Sequence, residues 1–361
     1  MPFIFELIRY RLVFNFEAYT SRGKMSDKTC WFIVVRDKDG KWGLGECGPL
    51  RGLSTDDLPD FESQVRHWLA NHPFREAMLS RESINHYVLS VPGHLPSLKF
   101  GLEIALMDLY NGGKRMIFDT PFYSGDEKLP INGLVWMGDI PTMRLRIDEV
   151  LNKNFACIKL KIGAHYIDEE LALIDSIRST YGDKLEIRVD ANGGFTSDKA
   201  RVVMQHLASI NVHSIEQPIP VGHRKELASL CRDSPLPIAL DEELIGVNTT
   251  GSRERLLDAV QPQYIILKPS LLGGFNSTDE WIKLADEKGI GWWITSALES
   301  NVGLNAICQY TSQFRPTMAQ GLGTGTLYMN NLTSPLRVCD GFIFTDQQHE
   351  WDYRALKDEL G

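Results

Sequence analysis

The chain has little of what marks a secreted, membrane-bound or nucleic-acid-binding protein. Its 361 residues carry only six cysteines, Cys30, Cys47, Cys157, Cys231, Cys308 and Cys339, widely scattered and with no CxxC pair, so neither a zinc knuckle nor a disulfide framework is indicated. No apolar run is long enough to span a membrane, and Glu6, Arg9 and Arg11 interrupt the N-terminal apolar residues as no secretory leader would allow. A soluble, cytoplasmic protein without a membrane partner is expected. No basic tract offsets the formal charge of −9, so a nucleic-acid partner is not expected either. An anionic substrate must find its cations locally. Rossmann and Walker glycine fingerprints are missing as well.

What is present is an alternation of elements. Apolar and β-branched residues over 3–14 and 30–35 predict strands, and the Ser/Arg/Gly/Lys-rich stretch 19–28 between them predicts a mobile loop. Leu98, Leu102, Ala105, Leu106 and Leu109 form a helical stripe that Asn111-Gly112-Gly113 ends. From Ile131 onward short β-branched runs alternate with helical stretches, the pattern of βαβ units. Strands are expected near 131–137, 157–163, 185–191, 212–217, 237–241, 264–269 and 292–297, with a weak last one near 319–323. Ile167, Leu171, Ile174 and Ile177 form one intervening stripe, and Ala200, Val203, Leu207 and Ile210 another. Ser277 to Glu280 has capping-box spacing for a third helix. About eight strands in roughly 200 residues favour a closed barrel over an open sheet. The expected organisation is an α+β unit over 1–125, a (β/α) barrel over 126–330, and a segment, 331–361, that returns a strand around Gly341-Phe342-Ile343-Phe344 to the first unit.

Strands of a parallel barrel are buried on both faces and should be nearly continuous apolar runs. Several here are not. In Ile158-Lys159-Leu160-Lys161-Ile162 the two lysines share parity, so they face the barrel interior if the aliphatics meet the helices. Buried ammonium groups need opposite charge nearby. Arg188, Asp190 and Asn192 share parity on the next strand, Glu216 and Asp241 end the two after it, and Lys268 ends the one after those. Lys161, Asp190, Glu216, Asp241 and Lys268 are each about one βα unit apart, so each arrives at a C-terminal strand end, where barrel active sites are built. Three carboxylates without His or Cys make a hard oxygen site for Mg²⁺ or Mn²⁺. A lysine on either side suits removal of a proton next to a carboxylate, because the dianion formed needs electrostatic stabilisation. A lysine desolvated beside other cations has a depressed pKa and serves as a base near neutrality. Asp241 has acidic neighbours Glu242 and Glu243, and parity with Ala239 allows Glu243 as a ligand as well. Taken alone, a Lys-x-Lys pair is usually a solvated strand face.

Lys159-Leu160-Lys161, Val189-Asp190-Ala191-Asn192, Ile215-Glu216-Gln217-Pro218, Leu240-Asp241-Glu242 and Leu267-Lys268-Pro269 resemble the muconate-lactonizing subgroup of the enolase superfamily over nearly the full chain. The resemblance implies a modified TIM barrel of the (β/α)7β type, with an N-terminal α+β capping domain completed by the C-terminal segment. It implies that Asp190, Glu216 and Asp241 bind Mg²⁺, that Lys161 is the acid/base, that Lys268 is a cationic stabiliser, and that Lys159 lowers the pKa of Lys161 and touches the substrate carboxylate. Lys268 to Gly274, followed by Thr295 to Ser300, is most similar to the branch that dehydrates 2-succinyl-6-hydroxy-2,4-cyclohexadiene-1-carboxylate in menaquinone biosynthesis. N-succinylamino acid racemases, dipeptide epimerases and cycloisomerases share the catalytic lysines, but Gly321-Leu322-Gly323-Thr324-Gly325 lacks the Asp-x-Asp of the epimerases. The lid positions correspond to 20–25 and 48–53.

Arg51, Asn192, Ser296 and Glu299 are candidate substrate contacts, each with an ordinary alternative: an exposed loop arginine, a turn residue in Asn192-Gly193-Gly194, a turn serine and a helix N-terminus. His165, His206 and His213 lack ligand spacing, and Trp292 and Trp293 read as packing residues. A small carboxylate substrate is the expected partner, a homo-oligomer is compatible with the chain, and a non-catalytic barrel scaffold is the reading from a different class.

Overall fold

The computed structural model describes residues 3–20, 23–75, 79–163 and 166–357. The N-terminal unit is an antiparallel sheet of β1 (Ile4–Thr20), β2 (Gly23–Arg36) and β3 (Trp42–Cys47), backed by the helices Phe61–Asn71, Arg81–Leu89 and Pro96–Tyr110. Gly43 and Gly45 let the last of these helices lie against β3, since a Cβ at either would meet its backbone at 2.1 and 1.9 Å. That helix ends at Asn111, with Gly112 and Gly113 at positive φ, as the sequence predicts.

The stretch 19–28 is mostly strand, contrary to the expected loop. Residues up to 20 and from 23 onward continue the β1–β2 hairpin beyond an irregularity between Val13 and Ala18, and Ser21 and Arg22 lie outside the described residues. A two-stranded ribbon open to solvent is polar for the same reason that a loop is, so composition misleads there.

After β4 (Lys128–Pro130) come the seven parallel strands β5 (Gly133–Val135), β6 (Cys157–Lys161), β7 (Glu186–Asp190), β8 (Ser214–Glu216), β9 (Ile238–Leu240), β10 (Tyr264–Leu267) and β11 (Gly291–Ile294), hydrogen-bonded in chain order. The weak eighth strand is reduced to two parallel bridges, Gln320 with Ile131 and Gly321 with Thr295. They nevertheless join the first and last strands. Asn132 N donates to Gln320 O and Gly321 N to Ile294 O, while the Gln320 side chain accepts from Ile294 N, replacing ladder bonds that a longer strand would make. The fold is a modified TIM barrel.

The barrel interior is packed. At its N-terminal end the buried Arg188 guanidinium lies 4.3 Å from the Trp293 ring centroid, donates to Ala319 O at 2.8 Å and pairs with Glu186. His213 packs beside Tyr264 and Trp293, His206 pairs with Asp175, and His165 lies outside the described residues.

The helix around Trp281 spans Phe275–Lys288, three residues earlier than the capping-box spacing suggests. Gly274 at φ 95 precedes it, and Glu103 accepts from Phe275 N at 2.7 Å, so a carboxyl group from another helix does the capping. Ser277 donates instead to Leu272 O.

In the C-terminal segment β12 (Leu336–Cys339) pairs with β13 (Phe342–Thr345), and β13 pairs with β4 rather than with the N-terminal sheet. Contact with the N-terminal unit is made farther on, where Tyr353 packs on Trp42 and its hydroxyl accepts from Arg115 Nε at 2.9 Å.

Candidate active site

In β6 all five residues are buried, and Ile158, Leu160 and Ile162 join the helix-side core, which sends Lys159 and Lys161 inward. Strand register then brings charge together. Lys161 pairs across with Asp190, and Asp190 with Glu216, so the end of β6 meets the ends of β7 and β8 in one layer. Above lies a cavity of about 690 Å³, lined by Lys159, Lys161, Asp190, Asn192 and Lys268 at its floor, and by Arg51, Leu53, Trp136, Ser296, Leu298 and Thr324 among its walls.

Lys159 Nζ donates to Glu216 Oε2 at 2.9 Å and lies 3.2 Å from Asp190 Oδ2. Lys161 Nζ donates to Asp190 Oδ2 at 2.9 Å and to Asn192 Oδ1 at 2.8 Å. Lys268 pairs with Asp241. Burial pulls the Lys159 ammonium down, but Glu216 and Asp190 together outweigh it and leave its pKa above the usual lysine range. Lys268 is likewise raised, against burial, by Asp241 and Glu216. Each of these two ammonium groups rests on carboxylates whose charge outweighs the cost of burial. Burial raises Asp190, yet Lys161 and Lys159 prevail and hold it well below the carboxylate range. Glu216 is pushed up to about 8 by burial and by the charge of Asp190.

Among the described residues no three His, Cys, Asp or Glu side chains are gathered closely enough to hold a metal. The donor set nevertheless fits a hard divalent cation: three carboxyl groups from adjacent strands, with Glu216 Oε1 buried and lacking a hydrogen-bond partner.

Gln217, to which the sequence reading gave no role, arranges the third carboxylate. At φ 37, its side-chain oxygen accepts from Asp241 N at 3.3 Å and Glu243 N at 3.2 Å, and its amide donates to Ile219 O at 3.0 Å. Glu243 turns away to Gly222 N and Arg224, while Asn192 donates to Glu242 Oε1 at 3.1 Å. Of the candidate substrate contacts, Arg51, Asn192 and Ser296 line the cavity. Glu299 does not. It is fully buried, accepting from Ser270 Oγ, from Ser296 Oγ at 2.5 Å and from Ala297 N at 2.7 Å, so it braces the loop behind the wall. Asn132, Leu134, Trp136 and Thr324, which no motif in the sequence singles out, also line the cavity, as does Thr295.

The family model Enolase C-terminal domain-like matches residues 142–348, and the model MenC, N-terminal domain, matches 4–109. Over 358 residues the chain is 44% identical to the o-succinylbenzoate synthase of Desulfotalea psychrophila, a match covering 93% of this chain and 97% of that one. It belongs to the o-succinylbenzoate synthase family of the enolase superfamily. The solved structure of MenC from Desulfotalea psychrophila superposes with a TM-score of 0.82 at 41% identity, over 96% of this chain and all of that one. The L-Ala-D/L-Glu epimerase of Bacillus subtilis, at 19% identity and a TM-score of 0.83 over 95% and 96% of the two chains, shares the fold. No helix among the described residues is long and apolar enough to cross a membrane.

Proposed function

We propose that this member of the family is an o-succinylbenzoate synthase, dehydrating 2-succinyl-6-hydroxy-2,4-cyclohexadiene-1-carboxylate to o-succinylbenzoate in menaquinone biosynthesis. The observation that carries the reading is that Lys159, Lys161 and Lys268 line one cavity whose floor holds Asp190, with Glu216 and Asp241 buried against the same ammonium groups. Asp190, Glu216 and Asp241 would hold Mg²⁺, or Mn²⁺ in its place, and the bound ion would offset the negative charge that develops on the substrate carboxylate.

Lys161 accepts the proton from the ring carbon bearing the carboxylate, and the C–H electron pair passes into an enediolate. That pair returns to form the ring double bond as the neighbouring C–O bond breaks. The proton on Lys161 leaves with the hydroxyl on the same face, so one water is lost and the ring becomes aromatic. Lys159 and Lys268 supply fixed positive charge while the dianion exists. Asn192 holds Lys161 in reach of the cavity. Arg51, at the rim, suits the succinyl carboxylate, and the apolar wall of Leu53, Trp136 and Leu298 suits the ring.

Purified protein with Mg²⁺ should bleach the cyclohexadiene absorbance of its substrate and lose that ability in EDTA. No bleaching with metal present would remove the dehydration. A second reading, an N-succinylamino acid racemase, draws on the presence of both Lys161 and Lys268 in the cavity. It predicts α-deuterium exchange into both enantiomers of an N-succinylamino acid in heavy water, whereas a dedicated synthase shows none.

A further inference from the structure

Two charged residues of the N-terminal sheet end inside the wall of the cavity. Lys28 on β2, 4% exposed, donates from Nζ to Ala297 O at 3.0 Å and to Leu298 O at 2.9 Å. Glu46 on β3, fully buried, accepts from Ser300 N at 2.9 Å, Ser300 Oγ at 2.6 Å and Gly303 N at 2.9 Å, at the start of the helix Asn301–Ser312. Between these anchors the loop carries a strained residue. Leu298 sits at φ 65, a conformation a leucine keeps only where its surroundings over-determine it. Its carbonyl is held twice, by Lys28 and by Tyr328 Oη at 2.7 Å. Ala297 and Leu298 are themselves cavity wall, and the two carbonyls that Lys28 holds lie outside the charged cluster at the cavity floor. Gly48 makes room for this arrangement, since a Cβ there would stand 2.9 Å from Lys28 Nζ.

We propose that Lys28 is a positioning residue for substrate binding: its ammonium fixes the Ala297–Leu298 wall, so the N-terminal sheet sets the shape of the pocket on that side. The role in substrate binding rests on the dehydration reading above. Lys28→Met removes the two hydrogen bonds and the positive charge facing the buried Glu46, while keeping the buried stem. Gly48→Ala, at a backbone conformation any residue adopts, leaves the lysine in place and presses a methyl group on its end.

Both variants are compared with wild type in steady-state kinetics and in backbone amide exchange. Lys28→Met should raise KM about tenfold while kcat stays within about threefold, because the reacting groups on β6 and β10 are untouched. Gly48→Ala should move KM the same way by less. Amides of 297–303 should exchange faster in both, and those of 157–162 should not. A folded Lys28→Met with unchanged KM, or with a loss confined to kcat, overturns the proposal. Should Lys28→Met fail to fold, the same outcomes are read from Gly48→Ala. If wild type shows no dehydration, it is the functional reading that falls. The exchange data then decide the latch alone: local loosening supports it, and unchanged protection of 297–303 overturns it.

Discussion

Replacing Lys161 by alanine should abolish turnover and spare the fold. Lys161 Nζ has two partners, Asp190 Oδ2 at 2.9 Å and Asn192 Oδ1 at 2.8 Å. Asp190 keeps Lys159 at 3.2 Å, so no buried charge is left uncompensated, and Asn192, which still donates to Glu242, is only half-buried, so water can reach its oxygen in place of Lys161. Removing a partner is costly only when it strands the other, and here it does not. The melting temperature should shift by no more than a few degrees, about what 1 kcal/mol costs a chain this size. Turnover is a different matter. Loss of a positioned acid/base costs about 100- to 10,000-fold, or roughly 3–5 kcal/mol of transition-state stabilisation. In the dehydration proposed above one group would take the proton and return it to the leaving hydroxyl, so the upper end is expected. The assay is bleaching of the cyclohexadiene absorbance, with circular dichroism on the same sample. A folded Lys161→Ala protein retaining more than about a tenth of wild-type kcat would refute the assignment and return the lysines to the status of structural ion pairs.

Chelation should remove activity, and Mg²⁺ or Mn²⁺ should restore it, followed as the same absorbance change. Arg51→Ala should raise KM about 10- to 100-fold with little effect on kcat, in line with about 1.5–3 kcal/mol for hydrogen bonds to a charged group, checked by saturation kinetics. Arg188→Met should destabilise the barrel by roughly 2–4 kcal/mol in urea unfolding, because it removes the donor to Ala319 O and the cation over Trp293 next to the segment that closes the sheet. Burial pushes Glu103 up to about 8 from 4.5, so between those values the folded chain holds a proton that the unfolded chain has shed, and stability falls as pH rises. Glu103→Gln should flatten this decline and gain on wild type by up to roughly 4 kcal/mol by pH 8. Parallel unfolding slopes for the two proteins from pH 5 to 8 would contradict it.

The centre of the site was legible because charge on a strand buried on both faces has to be explained. Lys159 and Lys161, placed by parity, point where the alternation with Ile158, Leu160 and Ile162 sends them, and their register with Asp190 and Glu216 follows from one ionisable residue per βα unit. The parts that escaped depend on contacts between distant segments. Lys28 and Glu46 look like ordinary charges on a half-exposed sheet, yet the groups they hold lie 269 and 254 residues away. Glu299 has the composition of a substrate contact and the geometry of a brace, which only the positions of Ser270 and Ser296 reveal. The last strand was weak in sequence because its pairing comes down to Gln320 and Gly321, neither of them β-branched, which close the sheet through their backbone groups and one bond from Ile294 N to the Gln320 side chain.

Charge balance links the site to its chemistry. Three ammonium groups, Lys159, Lys161 and Lys268, face the carboxyl groups of Asp190, Glu216 and Asp241, and Glu242 adds a fourth carboxyl within reach of Asn192 and Lys268. Fully ionised, the set carries one negative charge in excess, and Glu216, caught between the others, is the carboxyl pushed up toward neutrality. A buried set of this kind stabilises a fold less than apolar packing of the same volume would. Its excess charge and the unpartnered Glu216 oxygen instead favour a divalent cation. With such an ion in place the balance would turn positive, as the proposed dehydration, with negative charge growing next to Lys161, would require.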